Sequence, residues 1–147
     1  MQDLKREQFA YWVTIPTRWG EMDALGHINH AMYFRYLEEG RTGWIAKMCN
    51  DYDGLWEKEG LILADIQCSY IRQLRHPVTV EVGTRIVKIG KSSMTIQGAV
   101  FVEGEGSPAA VSRGIVVWFD YASQKTAPVP DWLRQRIRDV EPVAPEE

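Results

Sequence analysis

Asp23, His27, Asn29 and His30 bring a carboxylate, two imidazoles and a carboxamide into one short stretch of the segment RWGEMDALGHINHAMYFRYLEEGRTGW, Arg18 to Trp44. A carboxylate can attack an acyl carbon or take a proton from water. Directly after Asn29 the sequence changes to helical periodicity. A helix N-terminus offers unpaired N–H groups and about half a unit of positive charge. An acid beside donors that can meet a developing oxyanion is what acyl transfer needs. Plainer readings stand beside this one. Loop aspartates commonly serve turns, and Asp23, His27 and His30 together have the donor types of a zinc site. His27 can order the loop through side-chain hydrogen bonds, since imidazole both donates and accepts.

The elements that must hold these residues are readable from periodicity. Phe9, Tyr11, Val13, Ile15 and Trp19 share one parity, which predicts a strand, with Pro16 marking an edge position or a bulge near its end. Gly20 and Gly26 bracket the loop, and Asn29 is the expected N-cap. Tyr33, Tyr36, Leu37, Gly40, Trp44 and Met48 fall on one helical face, so a helix of roughly five turns is predicted, with Gly40 at a close contact. The aromatic members of that face read as core. Glu38 and Glu39 read as a solvated face, with Glu38 also placed to look toward a neighbouring subunit.

Four further strands are expected. In the first, Ile62, Ala64, Ile66, Cys68 and Tyr70 share a parity. The second carries Val78, Val80 and Val82, with a bulge expected at Gly83. The third runs through Met94 to Val102. The fourth, Val111 to Phe119, is apolar on both parities, as a strand buried on two sides would be. Residues 131–138 predict a short terminal helix. Residues 1–8 and 140–147 read as flexible tails. One helix cannot cover both faces of a five-stranded sheet, so the uncovered face predicts an oligomer.

The whole chain, residues 1–147, reads as a single α+β domain large enough to bury a core without staples. Its net charge of −3 and the lack of a basic run argue against a nucleic-acid partner. No early apolar block resembles a signal peptide and no run is long enough to span a bilayer, so a soluble, cytoplasmic protein is expected. Cys49 and Cys68 read as reduced core thiols. No Gly-x-Ser-x-Gly elbow is present to support a serine hydrolase.

Residues 18 to 41 resemble the hotdog-fold thioesterases of the 4-hydroxybenzoyl-CoA thioesterase family. That family shows Arg-x-x-(acid)-x-Asp-x-x-Gly-His-(aliphatic)-Asn-Asn, then Tyr-x-x-(Tyr or Phe)-x-Glu. Here the segment gives Arg18, Glu21, Asp23, Gly26, His27, Ile28, Asn29 and His30, then Tyr33, Tyr36 and Glu38. His30 replaces the second Asn, and Glu21 stands where many members have Asp. The resemblance implies a hotdog fold, one long helix wrapped by a curved antiparallel sheet of about five strands. It implies hydrolysis of an acyl-CoA by a homodimer or homotetramer that uses no metal and no cofactor. Asp23 falls on the family's nucleophile or general base, and His30 on its backbone N–H donor to the thioester carbonyl. Lys91 is similar to a basic position near the coenzyme A phosphates. A binder that holds acyl thioesters without cleaving them is the alternative, and a dehydratase lacks support in this loop.

Overall fold

The computed structural model describes residues 3–147; Met1 and Gln2 lie outside the described residues. Helix α1 (His30–Met48) begins where the Asn29 side chain accepts from the Ala31 N–H at 2.9 Å, the expected cap. Its buried face carries Tyr33, Tyr36, Leu37, Gly40, Trp44, Ile45 and Met48. This stripe lies across a sheet built from β1 (Tyr11–Pro16), β2 (Glu59–Tyr70), β3 (Thr79–Ile89), β4 (Ser93–Val102) and β5 (Ala110–Asp120). The sheet is antiparallel in the order β1-β3-β4-β5-β2, and a short β6 (Lys125–Thr126) pairs with β5. Pro16 does sit at the end of an edge strand, where its missing N–H breaks no ladder.

Close approach of helix to sheet depends on two missing side chains. A Cβ at Gly40 would lie 2.8 Å from Thr84 Oγ1 and 2.9 Å from Val82 Cγ1; one at Gly98 would lie 2.7 Å from Leu37 Cδ2. The core divides along the helix. Trp44, Ile45, Met94 and Trp118 pack with Leu133 and Ile137 of helix α2 (Asp131–Val140). Tyr33, Tyr36, Val82 and Val100 form the half nearer the helix start. No helix among the described residues is long and apolar enough to cross a membrane.

Several expectations are corrected. The bulge expected at Gly83 falls at Val87, between Ile86 and Lys88, while Gly83 stays in register opposite Trp12 and Ala99. The glycine is needed for space: a Cβ there would meet the Phe9 ring at 2.8 Å. In β2 a bulge at Ala64 moves the inward parity from Leu61 and Leu63 to Ile66, Cys68 and Tyr70, because the extra residue shifts all later side chains by one face. On β5 the alternate residues Val111, Ile115 and Val117 face outward and are half-buried. Part of that outer face, around Ala99 and Phe101 of β4 and Val111 of β5, is already covered by Leu4 and Phe9.

Nor are the two tails loose where they are described. Leu4 is buried, and the Arg6 guanidinium donates to the Val102 and Glu105 carbonyls and to Glu81. At the other end, Glu146 exchanges backbone bonds with Val87 and Ile89. The cause lies in strand length. β1 pairs with β3 only as far as Thr84, which leaves the next N–H groups of β3 without a ladder partner. Glu141 supplies one acceptor, its Oε1 lying 2.8 Å from the Ile86 N–H.

The Glu141 carboxyl is pushed up to about 7, by burial above all, against the lowering pulls of the Ile86 N–H and of Arg85. The folded value lies above the unfolded one of about 4.3, so the contribution of this group is fully present below the unfolded value. It is lost as pH rises through about 7. Glu141→Gln keeps an acceptor for Ile86 and removes the titration. Urea unfolding should show the wild type losing up to about 3 kcal/mol relative to this variant between pH 4 and 8. Parallel pH profiles would refute the assignment.

Candidate active site

The loop that carries Asp23 is closed by an isolated antiparallel bridge between Met22 and Ile28. Within it the Asp23 N–H donates to the His27 carbonyl at 2.8 Å, and the Gly26 N–H to the Asp23 carbonyl at 3.0 Å. Gly26 has φ +78°, a conformation glycine reaches without a Cβ clash. Asp23 Oδ1 accepts from the Leu25 N–H at 2.9 Å and, more loosely, from the His27 N–H at 3.4 Å. The turn role is thus real, and it occupies one carboxylate oxygen. Oδ2 accepts no hydrogen bond among the described residues.

Two braces hold the loop on the protein. The Ile28 N–H donates to the Leu74 carbonyl at 2.8 Å and the Asn29 N–H to the Glu21 carbonyl at 2.9 Å. Glu21 Oε1 accepts from the Arg18 N–H and from the Tyr36 hydroxyl, each at 2.8 Å. Tyr36 is 2% exposed. Burial first, and then the bond to Glu21, raises its pKa and keeps the proton in that bond. Tyr36→Phe removes a bond to a charged acceptor, so a loss of roughly 1.5–3 kcal/mol is expected in chemical denaturation. A variant within 0.5 kcal/mol (about the scatter of neutral surface changes) would show that the brace adds nothing.

At the helix start the donors can be followed one by one. The Asn29 N–H goes to Glu21, the Ala31 N–H to the Asn29 side chain, and the Met32 N–H to the Asn29 carbonyl at 2.9 Å. The His30 N–H has no acceptor among the described residues. The carbonyl of the same residue accepts from the Tyr70 hydroxyl at 3.0 Å. Tyr70 meets the Tyr33 ring edge-on at 5.1 Å, so β2 pins the first turn of α1 from the side opposite Glu21.

The remaining candidates fall elsewhere. The His27 ring makes no hydrogen bond among the described residues, so its loop-ordering is done by its backbone and not, as expected, by the imidazole. Asp23, His27 and His30 do not converge; no group of three His, Cys, Asp or Glu among the described residues is placed to hold a metal ion. Glu38, half-exposed, pairs with Arg35 at 3.1 Å and more distantly with Arg41 at 3.8 Å. Lys91 lies exposed in the β3–β4 turn. The Asp23 loop is tied to the opposite end of β3, and eleven strand residues span roughly 36 Å at about 3.3 Å each. Within one chain Lys91 therefore does not meet the loop. Cys49 is a buried thiol pushed up to about 11 by burial, and burial likewise raises Cys68; neither carries the depressed pKa of a nucleophile.

Sequence reading missed Arg75, whose guanidinium lies about a van der Waals contact (3.6 Å) from where a Gly26 Cβ would be. It also missed the Glu21–Tyr36 and Tyr70–His30 bonds. All three join residues far apart in the chain, and no local spacing signals them. The His76 ring bonds Thr17 Oγ1 through Nδ1 at 3.0 Å. A cavity of about 430 Å³ opens between β1 and α1 beside Arg18, Arg35 and Glu39. Glu21 and Tyr36 form part of its wall, and Asp23 does not. The size of this cavity therefore does not mark out the loop acid or the free helix donor.

A long helix wrapped by a curled antiparallel sheet, with an acid-bearing loop feeding the helix start, is the hotdog fold. The chain belongs to the thioesterase-like superfamily, whose family model matches residues 17–137. Among solved structures it is similar to the thioesterase from Thermus thermophilus complexed with coenzyme A and Zn. The two are 30% identical with a TM-score of 0.79, over 92% of this chain and 96% of that one. The PA5185 protein from Pseudomonas aeruginosa strain PAO1 shares the fold at 23% identity and TM-score 0.83, over 99% and 100% of the two chains. The uncharacterized protein YsmA of Bacillus subtilis is 25% identical over 91 residues, 62% of this chain. The match spans 60% of that relative's length.

Proposed function

We propose that the chain is an acyl-CoA thioesterase of the 4-hydroxybenzoyl-CoA thioesterase type, cytoplasmic and working without a cofactor. The observation that carries this reading is the pairing of one unused helix N–H, that of His30, with a loop carboxylate that keeps one oxygen free. In the proposed reaction the His30 N–H receives the thioester carbonyl oxygen. Asp23 either attacks the acyl carbon or takes a proton from the attacking water. Coenzyme A leaves as thiolate, and one water is consumed, its hydroxyl going to the acyl group and its proton to the sulfur. The low charge demand of the site fits a neutral thioester whose oxygen gains charge only in the transition state.

Coenzyme A as the carrier is supported by the Thermus thermophilus relative, whose crystal structure is a complex with it. Arg75 is a cation beside Gly26 of the loop within this chain, while Lys91 would act on the coenzyme only from another copy. A second copy is favoured by β2, a twelve-residue edge strand without proline, whose Leu63 and Tyr70 are exposed. Such edges are templates for pairing. Homodimers built on β2, and homotetramers built from them, would bring a second chain beside the His30 turn.

A panel of aromatic, short, medium and long acyl-CoAs, followed by thiol release, tests the activity. At least one should be turned over with multiple cycles per protomer. Tight retention of intact acyl-CoA with no release would overturn hydrolysis in favour of a binding protein. Sedimentation velocity should give a dimer or tetramer, and a monomer at micromolar concentration would remove the proposed interface.

A further inference from the structure

On the outer face of the sheet, away from α1, the strand registers place Arg85 of β3 opposite Gln97 of β4, and Gln97 opposite Arg113 of β5. Two guanidinium groups and a carboxamide thus form a row across three strands. The row floors a cavity of about 160 Å³ whose roof is Val143 and Ala144 of the C-terminal segment. Arg85 is 7% exposed and Gln97 6%. Arg85 Nε donates to Gln97 Oε1 at 2.7 Å, and the guanidinium lies 5.4 Å from the centre of the Phe9 ring. Its terminal nitrogens have no acceptor among the described residues, and neither Arg85 nor Arg113 has a carboxylate within 4.0 Å there. The acid that acts on Arg85 is Glu141, which lies beyond that distance and outside the cavity wall.

A buried guanidinium whose acid stays beyond direct pairing distance is expensive to keep. Here the surplus is all of one kind. Arg85 and Arg113 carry only donors, and Gln97 has spent its oxygen on Arg85 and keeps its NH₂. Cavities for coenzyme-sized ligands run to about 300–1,000 Å³, so this one is too small for a nucleotide. It has room for about five waters at roughly 30 Å³ each, or for one small anion. Neighbouring strands are about 4.8 Å apart, so the two arginines spring from points about 10 Å apart, and one anion between them comes within reach of both. Donors arriving from three separate strands suit a tetrahedral oxyanion better than a planar carboxylate, which a single arginine fork already satisfies.

We propose that Arg85, Gln97 and Arg113 form a binding site for a phosphate group, free or as a small phosphomonoester, on the outer face of the sheet under the C-terminal segment. The site is separated from the Asp23 loop by the sheet itself.

The test uses the full chain at constant ionic strength, so that general screening is held fixed. Thermal unfolding is followed while chloride is replaced by inorganic phosphate, by methyl phosphate, or by acetate. Phosphate and methyl phosphate should raise the melting temperature saturably, and acetate should not. Arg113 is exposed, so Arg113→Ala is expected to fold. It should move the phosphate midpoint up by about tenfold or more, the loss of one charge-assisted contact. Arg85→Gln should abolish the response; if it does not fold, Arg113→Ala carries the test alone. The proposal is overturned if wild type shows no saturable phosphate response, if acetate acts as well as phosphate, or if Arg113→Ala responds like wild type. It is also overturned if phosphate has no effect while Arg113→Glu lowers the oligomer mass, which would make the row a contact between copies of the chain.

Discussion

Asp23→Asn is expected to lower kcat for acyl-CoA hydrolysis by about 10²–10⁴-fold, the range for losing a positioned acid–base group. The substitution is chosen for what it leaves in place. An asparagine oxygen can still accept from the Leu25 N–H, the strongest tie of the Asp23 side chain, so the turn and the Met22–Ile28 bridge should persist. Charge and basicity are what change. KM should move little, because a neutral thioester gains nothing from Asp23 before reaction. A variant with wild-type turnover on every acyl-CoA that the parent cleaves would remove Asp23 from the mechanism.

His30→Pro is the second large effect expected, about 10²–10³ in kcat, the usual loss when one oxyanion donor is removed. Proline is the informative choice because the first helical position tolerates it: the missing N–H is an orphan there anyway. Asn29, the residue before it, already has φ −58° and ψ 138°, the extended conformation a following proline demands. The helix should therefore keep its cap and its Tyr70 bond, and only the free donor is lost. His30→Ala, which keeps the N–H, should remain within a few-fold of wild type. Circular dichroism and melting temperature would confirm that the proline variant is folded. If proline and alanine variants turn over alike, the donor is not the His30 N–H.

What could be seen in the sequence follows the range of the forces involved. Periodicity and capping act within a few residues, and so α1, its Asn29 cap and the close contact at Gly40 were all visible. The succession of strand, helix and four strands along the chain was visible for the same reason, whereas their order in the sheet, with β2 beside β5, was not. Strand irregularities were not. The apolar parity switches after Gly83 and so points to a bulge there, yet its missing side chain makes room for Phe9, and the bulge falls at Val87 beside the C-terminal segment. Residues 140–147 look disordered by composition, but they answer a need created elsewhere, the N–H groups of β3 beyond the reach of β1. At the site, the sequence placed Asp23 and His30 correctly on loop and helix start. It missed the Glu21–Tyr36 brace, Arg75 and the Tyr70 bond to His30, whose partners lie 15 residues or more away. It also overvalued the His27 ring, because a titratable side chain is conspicuous in a sequence while a backbone N–H is silent.

The donor arithmetic at the start of α1 bears on what happens after the bond is cut. Three of the first N–H groups are already bound by Glu21 and Asn29, and one remains. A neutral substrate needs one. In the proposed reaction the freed acid carries one negative charge shared over two oxygens and would find a single donor for them, on a helix start entered through the loop of another carboxylate, Asp23. A helix end with all its N–H groups open would hold that product. With one donor open, this end would hold it weakly, so weak product inhibition by the free carboxylate is expected if the proposed site is the working one.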